Sequence, residues 1–95
     1  MENDEQRARD RAERARDQVA AERKRAARDH AGAASERQAA EDAANSRVAA
    51  AHERAAETHE RAAETHERSA DRQQETAAFF DKHERNLRQR RTPKR

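Results

Sequence analysis

The sequence predicts an all-α chain: a single long, solvent-exposed helix able to form a coiled coil, with an antiparallel helical hairpin or a largely disordered chain as alternatives. Three observations carry this. Of the 95 residues 32% are hydrophobic, and apart from Ala these are only Met1, Val19, Val48, Phe79, Phe80 and Leu87. Burying those six is worth on the order of 10 kcal/mol, against an ordering cost of about 1 kcal/mol or more per residue, so a globular core is excluded. Ala, Arg, Glu and Gln, all strong helix formers, dominate, and between Asn3 and Arg91 the one marked breaker is Gly32. Finally, His52-Glu53-Arg54-Ala55-Ala56-Glu57-Thr58 recurs identically at 59–65 and decays at 66–72 into His66-Glu67-Arg68-Ser69-Ala70-Asp71-Arg72, a heptad period suited to one helix face.

Taken in order, residues 1–3 are expected to be a disordered N-terminus. The helix is expected over 4–91. Asn3 followed three residues later by Gln6 is a reciprocal cap, and Asp4 and Glu5 suit the positive end of the dipole. Along the exposed faces Glu5 to Arg9, Asp10 to Arg14, Glu57 to Arg61 and Glu64 to Arg68 are acid-before-base pairs at i,i+4, each worth about 0.2 to 0.5 kcal/mol. Arg90 and Arg91 suit the negative end, Thr92-Pro93 stops the helix, and 92–95 is expected to be a disordered basic tail. Two Ala lanes run at period seven: Ala12, Val19, Ala26, Ala33, Ala40, then Ala49, Ala56, Ala63, Ala70, Ala77. They are out of phase, so a continuous supercoiled seam needs a skip near 41–48. The hairpin alternative accounts for the same shift by turning the chain at Gly32 or at Asn45-Ser46.

Charge supports the hairpin alternative. Net charge is +2, yet residues 7–28 and 81–95 are basic while 36–75 are acidic, a pattern suited to antiparallel arms or staggered self-association. Nineteen Arg against three Lys, with so much Ala, points to a GC-rich bacterial genome.

Three groups of residues are candidates for function. Val48, Ala49, His52, Ala56, His59, Ala63, His66 and Ala70 form a stripe predicted to be an association face. If three imidazoles stack along that seam, their protonation near the unperturbed value of about 6.5 should weaken association as pH falls. The same His residues do not make a metal site, because seven helical residues advance roughly 10 Å, too far for two rings to share an ion held at ~2 Å. Phe79, Phe80, His83 and Leu87 form a short amphipathic docking segment. Arg88, Arg90, Arg91, Lys94 and Arg95 are candidate contacts to an anionic partner, including nucleic acid bound without sequence reading.

At the tandem His-Glu-Arg-Ala-Ala-Glu-Thr heptads, and at the Arg-Asp-Arg-Ala-Glu-Arg-Ala opening (residues 9–15), the chain resembles small Ala-, Arg- and Glu-rich heptad-repeat proteins of mycobacteria and related actinobacteria. In its Ala-charge helical repetition it also resembles group 3 late-embryogenesis-abundant proteins. That second resemblance implies a desiccation or stress protectant that gains helix on drying.

The inventory bounds the rest. There is no Cys, which removes disulfides, thiol nucleophiles and thiolate zinc sites. No apolar run approaches the ~20 residues that span a bilayer, and the N-terminal residues lack the basic and apolar regions of a signal peptide, so a cytoplasmic protein is expected. No catalytic residue, cofactor, metal or small-molecule substrate is predicted. The expected function is a non-enzymatic helical rod or coiled-coil protein, structural or stress-related, whose partner is a second copy or another helical protein. The alternative is sequence-independent binding of nucleic acid or another anionic partner through the basic ends.

Overall fold

The computed structural model describes residues 3–91. They form two helices, α1 (Asp4–Asp42) and α2 (Ser46–Arg91), joined by residues 43–45. The all-α class holds. Of the two helical arrangements, the chain takes the hairpin alternative in place of one continuous helix over 4–91. Of the ends expected to be disordered, residues 1, 2 and 92–95 lie outside the described residues, as do Lys94 and Arg95 of the anionic-contact set.

Asn3 accepts a hydrogen bond from the Gln6 amide through Oδ1 (2.8 Å), half of the expected reciprocal cap. The other half is not made, because the Gln6 side chain donates to Asp10 instead (2.9 Å). The break after Asp42 has a local cause and a packing cause. Asn45 caps α2, its Oδ1 accepting from the Val48 amide (2.9 Å) and its carbonyl from the Ala49 amide (3.1 Å). Glu41 and Asp42 close α1 without a base in its last turn, the less favourable charge for the negative end of a helix dipole. A turn at 43–45 falls where the two Ala lanes lose phase, and reversing the chain there lets both lanes face a neighbour. Gly32, the other turn candidate, stays helical with no positive φ.

The chain divides into two compact units. Glu22–Arg68 comprises the end of α1, the turn and the start of α2, an antiparallel hairpin whose core is Ala26, Ala33, Ala40, Ala56 and Ala63. The other unit takes the chain up to Ala21 and from Ser69 onward. There Ala8, Ala12, Ala15 and Val19 of α1 are buried, as are Ala70 and Ala77 of α2. Each lane predicted at period seven is thus a buried lane, apart from half-buried Ala49. A buried Ala methyl is worth about 0.8 kcal/mol. Ala at these positions contributes as much through helix propensity and close helix approach as through buried area.

Candidate functional site

In the hairpin unit, the three heptad His residues of α2 lie half-buried beside the Ala lane. Each meets a carboxylate of α1. His52 donates from Nδ1 to Glu36 (2.6 Å), His59 to Asp29 (3.1 Å) and His66 to Glu22 (2.8 Å). Glu22, Asp29 and Glu36 themselves recur every seven residues, so one heptad lane of acids on α1 faces one heptad lane of imidazoles on α2. Antiparallel helices at a common period keep such pairs in step along the whole hairpin. His59 lies over Gly32, where a Cβ would stand 3.1 Å from three of its ring atoms. The single glycine therefore has a reason that is not a turn: it lets an imidazole approach the α1 backbone.

The flank of the same hairpin carries a second set of pairs. His30 reaches Glu67 (2.6 Å) and Glu60 (3.2 Å), and Arg37 shares Glu60 (3.1 Å). The hydrogen bond to Glu67 raises the His30 pKa above 6.5, burial opposing and Glu60 assisting. The His66 hydrogen bond holds the Glu22 carboxyl below 4.5, against burial and with help from Arg25.

The predicted association face is thus a helix–helix seam for most of its length, and its partner in the structure is α1 of the same chain. Val48 at its start is exposed, and Ala70 is buried in the other unit. His52, His59 and His66 do not meet one another along this face: each faces a carboxylate of α1, and His66 also lies 3.7 Å from Asp29.

In the other unit the docking segment is split between two environments. Phe80 is half-buried beneath the Arg11 guanidinium, 5.4 Å from its ring centroid. Phe79 is 64% exposed, edge-on to Phe80 (5.1 Å) and nearly parallel to the His83 ring (6.3 Å, 13°). Leu87 is half-buried in a hollow with Asn3, Glu5 and Arg91. Of the described arginines predicted to meet an anionic partner, Arg88 pairs with Glu84 (2.6 Å) and Arg91 with Glu5 (2.8 Å), while Arg90 is exposed. Glu84 occupies the next heptad position after Ala77 and is buried. Arg88 first, then Arg9, hold its pKa below 4.5.

The i,i+4 pairs expected along the faces are not formed among the described residues. Glu5 and Arg9 reach across to Arg91 and Glu84 instead, and the ion pairs within a helix are Asp4 with Arg7, Glu22 with Arg25 and Glu84 with Arg88. For Glu5 and Arg9 the facing helix offers partners beside the seam, a better-shielded contact than a pair lying wholly on the solvent face. Sequence reasoning passed over Glu22, Asp29 and Glu36, and their signal was the heptad spacing they share with the histidines.

Among the described residues no helix is long and apolar enough to cross a membrane, and no three His, Asp or Glu are grouped to hold a metal ion. No known protein family matches the sequence, and no curated protein or solved structure is significantly similar to it.

Proposed function

We propose that this chain is a non-enzymatic, structural helical protein that closes its own apolar seam and acts through its outer surface. One observation carries the reading: the carboxylate–imidazole ladder of the hairpin unit, Glu36–His52, Asp29–His59 and Glu22–His66. Pairs of an acid and an imidazole are the usual raw material of acid–base catalysis. Here they repeat at every heptad between Ala layers, and the side-chain N and O atoms that are buried all have partners among the described residues. Three equivalent pairs in a row serve a repeated structural purpose, which is to fix register between two helices whose Ala faces are nearly featureless.

The test is sedimentation equilibrium with circular dichroism on the same samples, across a hundredfold range of concentration at pH 7. A mass near 10.9 kDa, with helix content constant on dilution, is the expected result. Helix that disappears on dilution while the mass falls would show that a second copy supplies the seam, and would overturn the reading.

A further inference from the structure

The unit built from the chain up to Ala21 and from Ser69 onward has two edges along which α1 faces α2, and they differ in charge. On one edge each base has an acid across from it: Arg9 with Glu84, Arg16 with Asp81 and Arg91 with Glu5. Nothing of the kind happens on the other. Arg7, Arg11 and Arg14 share one face of α1 by their i, i+4, i+7 spacing. The α2 wall opposite them supplies an amide, a hydroxyl, an imidazole and a ring, from Gln73, Thr76, His83 and Phe80. The acid in this groove is Asp4, at its end and held by Arg7 (2.7 Å). Among the described residues neither Arg11 nor Arg14 meets a carboxylate. Two adjoining hollows of about 340 and 190 Å³ run along this edge, sharing Arg11 and Phe80.

We infer that this groove binds a single-stranded nucleic acid, with phosphates on Arg7, Arg11 and Arg14 and a base on the open face of Phe79. The three arginines rise along α1 by about 6 and then about 4.5 Å, close enough in step for their long side chains to meet successive phosphates of a single strand. Guanidinium is the group suited to phosphate, through its planar fork of donors. Phe79 lies just beyond the groove, and His83 belongs both to the groove and to the hollow that Phe79 lines with Lys82 and Asn86. A cationic track beside an exposed ring is the combination by which single strands are held without sequence reading. A paired duplex keeps its bases stacked, so it would not use Phe79. An acidic stretch of a second copy would satisfy the arginines but has no use for an open aromatic face. This site goes beyond the structural role of the seam and uses none of its residues.

The experiment is fluorescence anisotropy of a labelled thymidine 12-mer against the full chain, from 20 to 200 mM salt. Parallel titrations use heparin and a 12-base-pair duplex. The variants are the triple Arg7→Gln, Arg11→Gln, Arg14→Gln, single Phe79→Ala, and double Arg23→Gln, Lys24→Gln as a control on exposed cations elsewhere. Circular dichroism melts confirm that all are equally folded. The triple variant should lose at least tenfold in affinity and flatten the salt slope by about 2, from ~0.7 per phosphate contact released. Phe79→Ala should lose roughly fivefold or more for the single strand, as expected of a removed stacking platform, and nothing for heparin. The control should bind as the parent does. Equal binding by parent and triple variant would overturn the site. Equal affinity for heparin and single strand, with no effect of Phe79→Ala, would overturn the nucleic-acid assignment. A dimer in sedimentation that the triple variant abolishes would give the groove to a second copy and overturn it as well.

Discussion

His30, Glu22 and Glu84 set how the protein should respond to pH. The folded chain raises the His30 pKa above 6.5 through Glu67 first and Glu60 second. Its contribution is therefore fully present below 6.5 and is lost as pH rises through the folded value. Glu22 and Glu84 are held below 4.5, by His66 and by Arg88 respectively as the largest causes. Their contribution is present above 4.5 and is lost as pH falls through the folded values. All three favour folding between 4.5 and 6.5, so thermal melts from pH 3 to 9 should show the highest Tm in that window and a fall on both sides. His30→Gln should reduce the alkaline fall while leaving the acid one unchanged. A Tm that climbs from pH 5.5 to 8.5 would contradict the pairing of His30 with Glu67 and Glu60. Gly32 is the other residue whose role emerges at this scale. Read along the chain it is a helix breaker; beneath the His59 ring it is a place where a side chain would intrude.

The two helices differ in how far the sequence announces them. The start of α1 was legible in Asn3 and the acids that follow it, because capping is a local competition among backbone donors that one side chain can settle. The buried lanes of both helices were legible as well, since Ala12 to Ala40 and Ala56 to Ala77 advertise their period directly. The turn was legible as a place where two lanes lose phase, with Gly32 and Asn45-Ser46 as rival positions that local sequence did not separate. Asn45 is the residue that makes it a helix start, so Asn45→Ala should cost about 1 kcal/mol, seen as a Tm lower by roughly 4 to 8 °C, while Asn45→Asp should hold close to the parent. An unchanged Tm for Asn45→Ala would show that the reversal is set by the seam alone. The charged partners were the least legible element-level feature. Spacing alone favoured i,i+4 neighbours such as Glu5 and Arg9, and only a facing helix could show that Arg91 and Glu84 were the better partners.

For the molecule as a whole, a protein held by Ala layers and polar pairs should unfold with an unusual thermodynamic signature. Exposure of apolar surface raises the heat capacity of unfolding and exposure of polar surface lowers it, with a norm of about 12 to 15 cal/mol/K per residue. The buried apolar set among the described residues is Ala with one Val, and Phe79 and Val48 are already exposed. Calorimetry over a range of pH should therefore give a value below that norm, and a normal or high value would mean that the aromatic segment is buried in an assembly in solution. The sequence by itself determined that the chain is helical, that it lacks a globular core, and that Ala and His recur on one face at period seven. These follow from composition and periodicity, which act within a few turns of the chain. Only the tertiary structure decided that the helix reverses at 43–45, that Glu36, Asp29 and Glu22 stand opposite His52, His59 and His66, and that Arg7, Arg11 and Arg14 are left facing a groove without acids on its far wall. Those outcomes depend on which residues, distant in sequence, share an edge once two helices are laid side by side. No local period specifies that pairing until the chain has turned.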